Sequence, residues 1–419
     1  MFTRVSTAQH FPGLYYWHAG TLKQGEVWLD ASGALSETPI IGAVSQICEA
    51  SDWLVPGLVD LCANLREPGA VQKASIKSEL RAAVAAGITS VLCSPDTRPC
   101  VDSTSVVELI RDRARHAAME APAARLFPLC ALTKNLAEEK LAELATLKSA
   151  GCIAASNADK AISNSSLLQR ALLYAASVDV AVHLHPVDRF LTSDGVAHDG
   201  RVAARLGLSG IPEIAETLAL ARDLMLIENT GVRAHISRIS CAASVAMIAS
   251  AKTRGLQITC DVAIANLFLC DNDVLGFRAN LHVRPPLRTA EDRDALRAGL
   301  ANGTIDAICS NHAPHDLDAK LAPFPMTEPG ASSIDALLPL SLQLVHEGVL
   351  SPARWLQVVS IAPAKIAGIS ANDWILLKPN ARLRMASEAL KSRGKNSPFL
   401  GWELSGQVVG VWQMDNIIL

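Results

Sequence analysis

Residues 55–70 read VPGLVDLCANLREPGA: a turn-forming Pro-Gly pair, a short run of mostly apolar residues, then a polar segment carrying Asn64, Arg66 and Glu67. A brief apolar run that empties into a polar loop is how a strand buried on both faces opens a β-α unit. The strand itself is LVDLCA (58–63). Seven further runs of the same kind follow it: TSVLCS (89–94), RLFPLCAL (125–132), CIAAS (152–156), VAVHLH (180–185), VRAHIS (232–237), QITCDVA (257–263) and AICS (307–310).

Between these runs lie alanine- and leucine-rich stretches with their charges on one face. SIKSELRAAVAAG (75–87), SLLQRALLYAAS (166–177) and EIAETLALARDLMLIENTG (213–231) read as helices, the first and last closing on Gly87 and Gly231. Strands alternating with helices imply a parallel sheet. Eight such units over roughly three hundred residues suit one closed (β/α)₈ TIM barrel better than an open doubly wound sheet. No G-x-G-x-x-G follows the first strand, as a dinucleotide-binding sheet would have.

Outside this array, residues 1–54 contain VWLD, and residues 370–419 contain WILLK and GQVVGVWQ. These short β-like runs predict one small β domain built from both chain ends, with residues 55–369 forming the barrel. The proline-rich segment 315–332, HDLDAKLAPFPMTEPGAS, predicts a loop over the barrel mouth.

Half of the 419 residues are hydrophobic and 19% are charged, enough apolar material for a large core. A formal net charge of −3 gives no basic field of the kind that draws nucleic acid. No apolar stretch approaches the ~18 residues of a membrane span, and the first twenty residues lack the basic-then-apolar order of a secretory signal. The expectation is a cytoplasmic chain with neither nucleic-acid nor membrane partners. Ten cysteines stand singly, without C-x-x-C or zinc-finger spacing, and read as small buried hydrophobes, with Cys62 set apart by its place at the end of the first strand.

In a barrel of this kind chemistry sits at the C-terminal ends of the strands. There the chain resembles the dihydroorotases, amidohydrolase-superfamily enzymes that close carbamoyl aspartate to dihydroorotate. The resemblance is carried in order by VPGLVDLCANLREPGA (55–70), GITSVLCSPDTRP (87–99), HLHP (183–186), HISRISCAASV (235–245), VRPPLR (283–288), SNHAPHD (310–316) and SPFLGWELSGQV (397–408). It implies an amidohydrolase-type barrel and a metal centre. The implied ligands are H-x-H on strand 1, a carboxylate or carboxylated lysine on strand 4, single histidines on strands 5 and 6, and an aspartate on strand 8.

Each implied ligand has a chemical reason. Zinc takes imidazole nitrogen and carboxylate oxygen and brings a bound water's pKa near neutrality, and the strand-8 aspartate then moves that water's proton. In this chain the strand-1 positions are Cys62 and Asn64, the strand-4 position is Asn157, and the strand-8 position is Asn311. His183 and His235 remain. Asparagine is a poor divalent-metal ligand and accepts no proton, so nucleophile and base are lost together. No cofactor is expected, although Cys62, His183, His235 and the adjacent His185 leave a weak mononuclear zinc site as an alternative.

The resemblance also makes Arg66 the carboxylate-binding arginine, with His315 in the H-A-P-H run. Asp96 and Arg284 stand where the family has asparagines, and an ion pair between them would relieve the extra acid in the mouth. Arg66 and His315 read either as a residual carboxylate site or as ties holding loops, the second being favoured.

Three functions follow. The leading one is a non-catalytic dihydroorotase homologue, the class that associates with aspartate transcarbamoylase, here as a structural subunit with a homodimer of its own inside a larger hetero-oligomer. The alternatives are a binding module for a small carboxylate and a divergent mononuclear-zinc cyclic amidohydrolase.

Overall fold

Eight parallel strands stand in one ring: β1 (Leu58–Ala63), β2 (Ile88–Cys93), β3 (Arg125–Ala131), β4 (Ala154–Ser156), β5 (Ala181–Leu184), β6 (Ala234–Ile236), β7 (Ile258–Ala263) and β8 (Ala307–Cys309). The computed structural model describes residues 2–4 and 7–414. Each strand pairs with the next in sequence. Every one falls within a residue of an apolar run or inside it, because a strand buried on both faces carries a near-continuous apolar signal.

Just beyond the end of β8 the ring meets β1 again through a parallel bridge between Ala63 and His312. The Asn64 amide donates to the His312 carbonyl at 2.8 Å, and the His312 amide to the Cys62 carbonyl at 3.3 Å. Polar groups beneath this seam are fully buried and paired, as burial requires. Asp60 accepts from the backbone amide of Ser310 at 2.9 Å and from its hydroxyl. His312 Nδ1 accepts from the Ser333 amide at 3.1 Å, which leaves Nε2 to donate to Glu79 at 2.9 Å.

The helices form where their caps allow. Ile76–Ala85 starts at a capping box on Ser75, and Gly87 follows the C-cap Ala86 at φ +80°. Ser165–Ser177 is N-capped by Asn164, and Ile214–Thr230 ends on Gly231 at φ +65°, a left-handed position that costs glycine little.

A second sheet runs in the order Phe2–Arg4, Glu403–Gln413, Trp374–Arg384, Trp53–Pro56, Gln9–His18, Thr21–Leu29 and Leu35–Ser36, with Val44–Ser45 beside Gln9–His18. Both chain ends therefore build one β unit; residues 1, 5, 6 and 415–419 of the predicted domain lie outside the described residues. Trp53–Pro56 runs into β1 through Gly57, where a Cβ would lie 2.3 Å from Thr89 Oγ1. Only glycine lets the two units approach so closely.

Over the mouth, segment 315–332 folds into short turns at Asp318–Lys320 and Phe324–Met326. It is pinned by the Gly330 amide donating to the His282 carbonyl at 2.8 Å and by a buried Phe324. Among the described residues no helix is long and apolar enough to cross a membrane. Eight of the ten cysteines are buried and all are free; Cys48 and Cys62 are half-buried.

Candidate functional site at the barrel mouth

The two retained histidines meet because β5 and β6 pair His183 with His235 in register, which brings their rings to 4.8 Å between centroids. Their environments differ sharply. His235 uses both ring nitrogens, Nδ1 at 2.9 Å from Thr259 Oγ1 and Nε2 at 3.0 Å from Asp261 Oδ2. His183 uses neither, and both its nitrogens are buried without a protein partner. Burial and the neighbouring His235 push His183 down to about 3, so it is a neutral imidazole at physiological pH.

The other positions lie around this pair. Cys62 Sγ is 3.9 Å from Asn311 Oδ1. Asn311, held at φ +49°, donates its Nδ2–H to the Arg284 carbonyl at 2.8 Å and accepts at Oδ1 from Arg238 Nη1 at 3.2 Å. Both ends of the amide are therefore committed. The Asn157 amide is buried with neither its oxygen nor its nitrogen partnered. Asn64 lies further out and lines a cavity of about 830 Å³ with Arg66, Lys73, Asp96 and Arg98.

Sequence reasoning passed over the residue at the centre. Arg238 follows β6 in the left-handed region (φ +57°) and is 3% exposed. Its Nη1 lies 2.5 Å from Asp159 Oδ1, and its Nη2 donates to the Ala158 carbonyl at 3.4 Å. Its backbone amide donates to Asp261 Oδ1 at 2.5 Å. Burial opposes the guanidinium charge, but Asp159 outweighs it and holds Arg238 protonated. Desolvation works against the Asp159 charge as well; Arg238, His185 and Arg284 prevail and keep that carboxyl below its usual range. The available signal was a lone arginine in the small, apolar run HISRISCAAS (235–244), whose charge has to be met inside the barrel.

A divalent metal does not fit these residues. His235 has no free nitrogen, amides stand at positions 64, 157 and 311, and the Arg238 guanidinium lies between Asp159 and Asn311. Among the described residues no group of three or more His, Cys, Asp or Glu side chains is arranged to hold an ion. His185, the fourth member of the alternative zinc set, lies with Nδ1 3.1 Å from the Ser237 carbonyl and is pushed down to about 4 by desolvation and by Arg238.

Arg66 and His315 are brought together, and each is occupied by loop backbone. Arg66 Nε donates to the Pro314 carbonyl at 3.0 Å, and its Nη2 is 3.1 Å from His315 Nε2. Lys73 Nζ lies 3.2 Å from His315 Nδ1, and His315 Nε2 is also 3.0 Å from the Pro329 carbonyl. Among the described residues Asp96 and Arg284 form no ion pair. Asp96 answers to Arg66 and Ser94 against desolvation and Asp159, whereas Arg284 acts on Asp159.

Comparison with known proteins agrees with the fold and with the family resemblance. A family profile described as Dihydro-orotase-like matches residues 52–244. A dihydroorotase-like protein of Pseudomonas putida is 50% identical over 361 residues, covering 84% of each chain, and one of Pseudomonas aeruginosa is 46% identical over the same length and coverage. A dihydroorotase of Citrifermentans bemidjiense is 40% identical over 370 residues, 86% of each chain. The chain belongs to the dihydroorotase-like family of the amidohydrolase superfamily. Its fold matches an L-hydantoinase (dihydropyrimidinase) from Arthrobacter aurescens at TM-score 0.83 and 21% identity, covering 96% of this chain and 93% of that one.

Proposed function

We propose that this chain is a catalytically inactive dihydroorotase homologue that serves as a structural subunit for aspartate transcarbamoylase. The observation that carries the reading is the state of Asn311. It stands where the family resemblance requires the proton-shuttling aspartate, and its amide is bonded at both ends, to Arg238 and to the Arg284 carbonyl. An amide so placed accepts no proton, and the carboxylate paired with Arg238, Asp159, is a weak base because the guanidinium holds it below its usual range.

Retention of the whole barrel with this chemistry removed supports selection for a surface rather than for turnover. The surface carries material for contacts. Ile214, Leu218 and Met225 are exposed along helix Ile214–Thr230, with Leu173 and Phe190 exposed on the adjoining helices. Apolar groups so disposed mark protein–protein contacts more often than free surface. The partner is the transcarbamoylase catalytic chain, met in the cytoplasm by a homodimer of this barrel.

Dihydroorotase activity is measured in both directions on zinc-free and zinc-supplemented protein, and the co-expressed pair is run on gel filtration with light scattering. The expected result is no turnover and a single complex. Zinc-dependent turnover, or two separate peaks at micromolar protein, overturns the proposal.

A further inference from the structure

We infer that Arg238 is this protein's resident cation: a guanidinium that takes the position and the charge-balancing role of the divalent metal and closes the barrel mouth to metal ions. The inference rests on the strand-end positions that the family resemblance assigns to metal ligands, and it stands whether or not the chain docks on a transcarbamoylase.

Geometry comes first. The Arg238 side chain joins the strand ends among which a metal would sit. It reaches Asp159 and the Ala158 carbonyl beyond β4, and Asn311 beyond β8, whose Oδ1 is 3.9 Å from Cys62 at the end of β1. A planar fork with five donors can satisfy several acceptors that a metal would otherwise gather. All three Arg238 contacts fall on Asn311 itself or within two residues of Asn157.

Charge balance points the same way. With amides at 157 and 311, the acid in contact with the guanidinium side chain is Asp159, and the two charges cancel. A divalent ion in the same space would meet the guanidinium at close range, with Asp159 already engaged by Arg238 and Asp261 by His235 and the Arg238 amide. The backbone secures the arrangement. Asp261 accepts the Arg238 amide on one oxygen and faces His235 Nε2 with the other, so one carboxylate both aims the arginine and engages the last strand-6 ligand.

The test uses two full-length variants. One carries Cys62→His, Asn64→His, Asn157→Asp and Asn311→Asp; the other adds Arg238→Ser. Each is checked for folding by circular dichroism, incubated with zinc, dialysed, and assayed for metal per chain. About one zinc per chain is expected without Arg238 and at least tenfold less with it. Stoichiometric zinc in both, or in neither, overturns the inference.

Should the ligand variants not fold, a thermal cycle on the natural chain decides. Asp159→Asn and Arg238→Met each lower the melting temperature, and the double variant loses no more than the larger single loss. Additive losses would show two independent groups and refute the inference. Neither readout depends on the transcarbamoylase, so failure of the co-expression experiment leaves this conclusion in place.

Discussion

His235 and Asp261 are neighbours on adjacent strands, Nε2 to Oδ2 at 3.0 Å, both 2% exposed or less, and the pairing engages the imidazole that the family resemblance assigns to a metal. Asp261 also takes the Arg238 amide, and His235 Nδ1 meets Thr259. Three polar groups are thus satisfied within a barrel interior where an unpaired one costs about 1–3 kcal/mol.

Asp261→Ala removes the acceptor for two of them at once. The expected loss is about 3–5 kcal/mol in urea unfolding, the range for breaking a buried pair. Thr259→Val takes away one hydroxyl and is expected to cost about 1 kcal/mol. Equal and small losses in both variants would mean that Asp261 is not the anchor described here.

The barrel seam makes a second prediction. Glu79 receives His312 Nε2–H at 2.9 Å, the Ser78 hydroxyl at 2.8 Å and the Arg393 amide at 3.1 Å, and it is fully buried. Burial alone would raise its carboxyl; the His312 hydrogen bond, together with the serine donors, brings it below the usual range. Glu79→Ala strands three donors where β8 returns to β1, with an expected loss of about 3–5 kcal/mol. Hydrogen exchange is expected to rise first in β1 and the 310–316 segment. Uniform exchange across all eight strands would count against a local seam.

The eight strands were legible because each is buried on both faces and therefore spelled in apolar residues. The positions of Cys62, Asn64, Asn157 and Asn311 were legible because motif order marks strand ends. What joins them was not. The Arg238–Asp159 ion pair crosses from β6 to β4, and the His235–Asp261 contact crosses from β6 to β7, between residues tens of positions apart with no shared periodicity. The expected Asp96–Arg284 pairing failed for a similar reason. Chemistry suggested two partners, whereas the fold leaves Asp96 Oδ1 buried without a hydrogen-bond partner and raised by desolvation and Asp159. Arg238 also needs a left-handed backbone, which nothing in its neighbours announces.

A pH effect is predicted for the mouth loop. His282 and His315 are both pushed down to about 4, the first by burial, Lys320 and Arg284, the second by burial and Arg66 with Lys73 beside it. Their unfolded value is about 6.5. Below that pH the open state binds protons that the closed state refuses, so closure weakens as pH falls from about 6.5 toward 4. Glu328, 3.7 Å from His315 Nδ1, is already paired with Lys73 and cannot hold the change back. Asp60 and Asp223, raised by burial to about 6, act in the opposite sense on global stability, so the readout has to be local. Protease cleavage within 316–330 is expected to accelerate severalfold between pH 7 and 5, and less in His282→Gln. A pH-independent rate would refute it.

Arg66 supplies the last prediction, because it separates a structural chain from a binding one. Its Nε is spent on the Pro314 carbonyl, its Nη2 lies against His315, and Asp96 and Glu328 act on what charge remains. A dianionic ligand entering the 830 Å³ cavity would have to displace those contacts and approach Asp96. Its binding free energy would go largely into that exchange. Millimolar carbamoyl aspartate or dihydroorotate is therefore expected to shift the melting temperature by less than about 1 °C, whereas saturation to a hundred times Kd would add about 2.7 kcal/mol and several degrees. A shift of that size, abolished in Arg66→Ala, would mean that the loop contacts yield to a ligand. The protein would then be a carboxylate-binding module, whether or not it also joins a transcarbamoylase.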